Sequence, residues 1–215
     1  MQKLKNSKFE LLQMPPQNTM SVLLTVGDEC VVFDAWGHVS EWTRIIDERG
    51  LKLRAIYATH GHPDHISAAP MLAKQYNVPW YLHSGDFRIV GWGNDLLTYF
   101  GLPQITVDDV RPTLLDVQDT TVLPGVTMKI IETPGHTPGG VAYYFPDEHV
   151  MIIGDTLFQE SIGRYDLPGG DKDMLFKSIS NIYNMNLPND VEIIHGHGMA
   201  TDIEYLHKNN PYFHE

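Results

Sequence analysis

The chain has 215 residues, 42% of them apolar and 20% charged, with a net charge of −12. That is enough chain for one sizeable core, and the ordinary composition excludes collagen-like, coiled-coil and wholly disordered chains. An acidic chain without a basic run is a poor nucleic-acid binder, and no apolar run reaches the roughly eighteen residues that span a membrane.

The start, Met1 to Gln17, carries lysines but no apolar stretch of the kind a signal peptide needs, so none is expected. Cys30 is the single cysteine, so no intrachain disulfide forms, and a cytoplasmic location is expected. Pro16-Gln17-Asn18-Thr19-Met20 reads as a turn leading into a hairpin, with strands over 22–26 and 30–33 and Gly27-Asp28 between them. Ser40 is expected to cap a helix that carries Trp42, Ile45, Ile46 and Arg49 at helical spacing and stops at Gly50. Ala55-Ile56-Tyr57 reads as a strand. Residues 67–76 read as a helix that tolerates Pro70 near its start. Pro79 to Leu82 forms a strand ending at His83, and 85–101 looks helical but broken by glycines. Further strands are expected over 128–131, 150–153 and 191–194. Asp171 can cap a helix with Leu175, Ile179 and Ile182 on one face and Pro188 beyond its end. Thr201-Asp202-Ile203-Glu204 is a capping box for a last short helix.

One pattern recurs along this series. Val31-Val32-Phe33 runs into Asp34, Ala55-Ile56-Tyr57 into His60, and Met128-Lys129-Ile130-Ile131 into His136. Val150-Met151-Ile152-Ile153 runs into Asp155, and Val191-Glu192-Ile193-Ile194 into His195 and His197. Strands laid in sheets would gather these polar ends along one rim. The order, a hairpin and then strand–helix alternation twice over, predicts two packed sheets with helices outside. Residues 116–215 carry 5 Lys+Arg against 15 Asp+Glu, and the chain has 11 His, so carboxylates and imidazoles that hold cations are a natural reading.

The densest signal is Thr59-His60-Gly61-His62-Pro63-Asp64-His65. Gly61 and Pro63 argue against a regular helix here, so a sharply shaped loop is expected to present these side chains. Such a loop can aim His60 and His62 at one point and Asp64 and His65 at another, as two neighbouring divalent ions require. Thr133-Pro134-Gly135-His136-Thr137-Pro138-Gly139 is a stiff loop holding one His. Gly154-Asp155-Thr156 places a carboxylate after a buried strand, and His195-Gly196-His197-Gly198 closes the series.

In this order the motifs resemble the metallo-β-lactamase superfamily over essentially the whole chain, and within it the compact bacterial glyoxalase II-like hydrolases. Ser161 to Asp171 matches that group's GRxDxPGGD stretch. The resemblance implies an α/β fold of the αββα type, two mixed β-sheets with helices on the outer faces, forming one domain over 1–215 whose similar halves meet near residue 115. It implies that one metal takes His60, His62 and His136, that the other takes Asp64, His65 and His197, and that Asp155 bridges them. Two divalent ions are expected, zinc first, with iron or manganese accepted by the same ligands. Asp64 and Asp155 are then catalytic together with a bridging hydroxide, and Arg164 and Tyr165 are candidate substrate contacts, although Arg164 could equally pair with Asp166. His195 stands where the family usually has Pro and reads as a structural strand-end residue. Asp34 either orients a ligand His or caps a turn before Gly37. His83 is expected to be buried and hydrogen-bonded. His38, His149, His207 and His214 read as surface or turn residues, and Cys30 as core.

The superfamily hosts several chemistries. Antibiotic-resistance lactamases usually carry Cys at the place of Asp155 and lack the His65 ligand. Acyl-homoserine lactonases usually carry Tyr where Phe158 stands. RNase Z-type nucleases need a phosphate-attracting surface, and flavin di-iron proteins put Glu at the place of His62. The resemblance therefore implies hydrolysis of thioesters of the S-lactoylglutathione type, a small-molecule reaction with no nucleic-acid or membrane partner. The alternative is a persulfide dioxygenase with one iron on His60, His136 and Asp155. That group usually shows Cys-Gly-Arg where Ile162-Gly163-Arg164 stands. The resemblance to the compact type implies a protein without the helical domain that contacts glutathione in longer glyoxalases II.

Overall fold

The computed structural model describes residues 4–6, 8–16, 18–105 and 111–214. The first sheet takes its strands in chain order: β1 (Phe9–Met14), β2 (Thr19–Val26), β3 (Glu29–Phe33), β4 (Lys52–Tyr57), β5 (Trp80–Leu82) and β6 (Thr113–Leu114). Pairing is antiparallel from β1 to β3 and parallel from β3 to β6. The second sheet follows with β7 (Thr120–Leu123), β8 (Val126–Glu132), β9 (Val141–Phe145), β10 (Val150–Gly154), β11 (Glu192–His195) and β12 (Thr201–Asp202). Its pairing is antiparallel except between β10 and β11.

Strands with apolar residues on both faces need cover on both, and this need sets the layers. In β9, Val141, Tyr143 and Phe145 join the core between the two sheets, while Ala142 and Tyr144 face the outer helices. The inner core also takes Val31 and Phe33 from β3, Tyr57 from β4 and Ile152 from β10. Phe33 sits 5.2 Å from Tyr143 and 5.8 Å from Phe145 between ring centroids, an aromatic seam joining the sheets. Outside the first sheet lie α1 (Val39–Glu48) and α3 (Ala69–Tyr76), which bury Trp42, Ile46 and Leu72. Outside the second lie α5 (Lys172–Asn184) and α6 (Ile203–Asn209), which bury Leu175, Ile179, Ile182 and Leu206. The arrangement is the expected αββα sandwich. Among the described residues no helix is long and apolar enough to cross a membrane.

Local differences from the expected elements have local causes. His38, not Ser40, occupies the N-cap of α1, with no side-chain cap bond, and the helix does stop before Gly50 at φ +63°. Asp171 caps α5 as expected by accepting from Met174 N. The cap of α6 is Asp202, one residue after Thr201, accepting from Tyr205 N. Residues 63–66 form a one-turn helix, α2 (Pro63–Ile66), where no helix was expected. Pro63 opens it, a position at which a missing N–H costs nothing. Over 85–101 the chain makes a 3-10 turn at Ser84–Asp86 and a short helix, α4 (Asn94–Tyr99), separated by Gly91 and Gly93 with positive φ. Gln17 of the expected entry turn lies outside the described residues.

Candidate metal centre

The polar strand ends do meet at one rim. β4 leads through Thr59 to His60 and His62, and α2 turns Asp64 and His65 back toward the same point. The loop after β8 carries His136, β10 ends beside Asp155, and the segment after β11 carries His197. The two sheets are pinned just behind the rim, where the Tyr143 hydroxyl donates to Ala58 O at 2.6 Å. The last segment is held by Met20 N donating to Gly196 O at 2.8 Å and by Gly196 N donating to Gly154 O at 2.9 Å.

Three groups of donor atoms converge, each with its ligand atoms within 4.8 Å: His60, His62 and His136; His60, His65 and Asp155; and Asp64, His65 and His197. His62 Nδ1 lies 3.1 Å from His60 Nε2 and 3.0 Å from His136 Nε2. Hydrogen bonds at the far nitrogens fix which lone pairs face inward. His136 Nδ1 donates to Arg164 O at 2.7 Å. Thr59 Oγ1 donates to Asp34 Oδ2 at 2.8 Å and so accepts from His60 Nδ1 at 3.0 Å. The Nε2 atoms of His60 and His136 therefore both present lone pairs to His62 Nδ1, where a single proton could satisfy only one of them. A cation satisfies all three.

The donors around Asp155 show the same deficit. His65 Nε2 lies 3.4 Å from Asp155 Oδ1 and 3.7 Å from Asp64 Oδ2, and both His65 Nε2 and Asp155 Oδ1 are buried without a hydrogen bond. His197 Nε2 lies 3.2 Å from Asp64 Oδ2 and 3.4 Å from Asp155 Oδ2, which is itself 3.6 Å from His136 Nε2. The Asp155 carboxylate thus stands between the two groups. Buried imidazole and carboxylate donors left unpaired in this way fit a pair of divalent cations. A Cβ at Gly196 would overlap Asp155 Oδ1 and crowd His65 Cε1, so the His-Gly-His segment needs glycine at its centre.

Charge sorts the two groups. Burial pushes His60 well below the usual histidine range and His62 down to about 4, with neighbouring imidazoles adding to the effect. Burial alone would lower His65 too, but Asp34, Asp64 and Asp155 outweigh it and hold it well above the usual value. His197 is likewise lifted against burial to about 9 by Asp155 and Asp64. Burial would raise Asp155, yet His65 and His197 hold it well below the usual carboxylate range, and Asp64 is lowered by the same two partners against its own burial.

Asp34 stands against a histidine. Buried at the end of β3, it accepts from Thr59 N at 2.7 Å and stands 3.0 Å from His65 Nδ1. His195 is turned away from the cluster: Nδ1 donates to Leu157 O at 2.6 Å and Nε2 bonds Thr201 Oγ1 at 2.9 Å. His83 is half-buried, with Nδ1 accepting from Gly85 N and Nε2 3.3 Å from Glu132. The exposed Arg164 side chain makes a two-pronged pair with Asp166 at 2.9 and 3.0 Å, so toward the cluster it contributes its carbonyl. Tyr165 is exposed beside it, with Lys172 Nζ 6.0 Å from its ring. Cys30 is fully buried, its thiol pushed up to about 12 by burial. Thr59 and Asp86, which brace the motif loops, escaped the sequence reading. The adjacency of Thr59 to His60 was the available signal for the first, and an Asp after the strand that ends at Leu82 was a weak one for the second.

Residues 14–197 match the family model of the metallo-beta-lactamase superfamily. The chain belongs to that superfamily. Two relatives align over more than nine-tenths of both chains. One is "Probable metallo-hydrolase YqgX" of Bacillus subtilis (strain 168), 32% identical over 95% of this chain and 97% of its own. The other is "Hydroxyacylglutathione hydrolase GloC" of Haemophilus influenzae, 32% identical over 91% and 92%. Among solved structures, the BLEG-1 B3 metallo-beta-lactamase superposes with a TM-score of 0.84 at 33% identity, covering 96% of this chain and 100% of that one. TTHA1623, solved in a di-iron-bound form, superposes with 0.82 at 29%, covering 94% and 99%. This member of the metallo-beta-lactamase superfamily is a metal-dependent hydrolase.

Proposed function

We propose that the protein hydrolyses small acyl thioesters, of which S-lactoylglutathione is the type, at a dinuclear centre held by His60, His62 and His136 on one side and Asp64, His65 and His197 on the other, with Asp155 shared. The observation that carries this reading is the placement of Asp155: one oxygen faces His65 at 3.4 Å, and the other faces His197 at 3.4 Å and His136 at 3.6 Å. A mononuclear oxygenase needs only His60, His136 and Asp155. The full second donor group favours the hydrolase.

Two divalent cations there would supply a nucleophilic water at neutral pH and polarise an acyl carbonyl. Zinc is the first candidate, and iron and manganese suit the same donors. The chain's own residues do the positioning. Asp34 sets the ring of His65, the carbonyl of Arg164 sets that of His136, and Thr59 sets that of His60. Beside His197 a cleft of about 460 Å³, lined by Phe158, Gln159, Glu160 and Ser161, offers room for a substrate. Arg164, whose carbonyl holds His136, and its neighbour Tyr165 are proposed to meet the acyl or thiol group. A thiolate leaves without protonation, which suits a centre whose histidines are committed as donors. The substrate is a small molecule. The reduced, buried Cys30 suits the cytoplasm.

The test is thiol release from a thioester panel by metal-replete protein, with metal analysis of protein purified without added metal and oxygen uptake with glutathione persulfide alongside. Two ions per chain and thioester cleavage are expected. Cleavage of the glutathione thioester and of simpler acyl thioesters, each read as kcat and KM, ranks the thiol groups the site accepts. β-Lactams belong in the same panel because of the BLEG-1 likeness, and little cleavage of them is expected. Oxygen uptake without thioester cleavage would replace the hydrolase by the dioxygenase.

A further inference from the structure

The three-imidazole group is built from two loops far apart in sequence: His60 and His62 come from one, His136 from the other. Between these loops lies a third element, the 3-10 turn Ser84–Asp86, and its last residue is fully buried. The carboxylate of Asp86 is used up by both loops. Oδ2 accepts from Gly61 N at 2.7 Å, the amide between the two histidines of the first loop. The same oxygen accepts from Thr137 Oγ1 at 2.8 Å, beside His136, and Oδ1 accepts from Gly139 N at 2.6 Å in that second loop. All three donors are neutral. The backbones are packed as tightly as the bonds suggest: a Cβ on Gly61 would come within 2.9 Å of Asp86 Cβ, and one on Gly139 within 2.7 Å of Asp86 N. A Cβ on Gly85 would meet Gly139 Cα at 2.9 Å.

A buried carboxylate whose hydrogen bonds come from neutral donors is costly to keep charged. Here burial does push the Asp86 carboxyl upward against the three hydrogen bonds. An apolar side chain could fill the space, but it could not tie two loops to one point. We propose that Asp86 is a positioning residue for the metal centre: it fixes the His60–His62 loop and the His136 loop in one register, so that three imidazole nitrogens converge before any cation arrives. It touches neither cation nor substrate. The inference rests on the reading of His60, His62 and His136 as a cation site.

The experiment compares wild type with Asp86→Asn and Thr137→Val. In Asp86→Asn the amide oxygen can still serve Gly61 and Thr137, but its NH2 group then faces the Gly139 N–H, donor against donor. Thr137→Val keeps shape and removes one donor. Zinc affinity is read by competition with a chromophoric chelator, and the geometry of the site from the visible absorption of the cobalt-substituted protein. Asp86→Asn should bind the first cation roughly 10–100-fold more weakly and show a changed cobalt spectrum. Thr137→Val should weaken it several-fold. A merely structural role would lower thermal stability in both variants and leave the cobalt spectrum as in wild type. A folded Asp86→Asn with wild-type affinity and spectrum would overturn the proposal. Should Asp86→Asn fail to fold, Thr137→Val with wild-type affinity and spectrum would overturn it. A wild-type protein that takes up no cation would overturn the cation-site reading and the proposal together, whereas wild-type uptake with unchanged variants would overturn the proposal alone.

Discussion

Asp34→Asn removes a charge 3.0 Å from His65 Nδ1 while keeping the side-chain shape. Both partners are buried. In the metal-free protein, His65 is held above its usual pKa, with Asp34 the largest of the carboxylate contributions, so the ring is cationic at pH 6. At 3.0 Å, two unit charges in an effective dielectric of ~20 interact by about 5 kcal/mol, and breaking a buried pair costs about 3–5 kcal/mol. For a chain of this length each kcal/mol moves the melting temperature by roughly 2–4 °C, so a drop of at least ~6 °C is expected at pH 6. The sign follows from linkage: a raised folded pKa contributes stability below the unfolded value near 6.5 and loses it as pH rises through the folded pKa. The gap between wild type and variant should therefore shrink in alkaline buffer. Asp34→Asn also frees His65 to place its proton on Nε2, the atom facing Asp155, so the cation in the second donor group should bind roughly 10–100-fold more weakly. Calorimetric melting of chelator-treated protein and a zinc titration check both effects. Equal melting temperatures at pH 6, together with unchanged affinity for the second ion, would refute the reasoning.

Asp155→Ala deletes the carboxylate standing between both groups, and should lower metal content and abolish turnover while leaving the sandwich folded, because Asp155 follows β10 instead of lying within it. Near-normal activity with two bound ions would exclude the shared role. Cation binding should also release protons unevenly at pH 7. His60 and His62 are already neutral, so the first equivalent should expel few, while His65 and His197, the latter near 9, should give up about two as the second group fills. Calorimetry in buffers of different ionisation enthalpy reads this difference, and affinity for the second ion should rise with pH through about 9, where His197 loses its proton. Equal proton release for both equivalents would count against the sorting of charge between the groups.

Much of the centre was legible because its donors stand at the ends of apolar runs. A buried strand announces itself by β-branched residues, and the polar residue that terminates it is then placed at a sheet rim. That logic located Asp34, His60, Asp155 and His197 without knowledge of pairing. It failed where the signal was spatial. Pro63 read as a breaker, but at the first position of a helix it is a starter, and α2 is what swings His65 toward Asp155. Strand β1, Phe9–Met14, went unread because its apolar residues do not alternate, although it covers both the inner and outer cores of the first sheet. Strand β9 was equally silent. Asp86 shows the limit most clearly: it lies 25 residues from Gly61 and 53 from Gly139, and only the fold brings them into contact.

Each sheet is assembled from a continuous stretch of chain, β1 to β6 and then β7 to β12. Each outer donor group crosses that divide: His60 and His62 are joined by His136, and Asp64 and His65 by His197. An ion seated in either group is therefore a clasp between two separately wound layers. It can be held only while the layers are docked, and by mass action its binding energy opposes their parting.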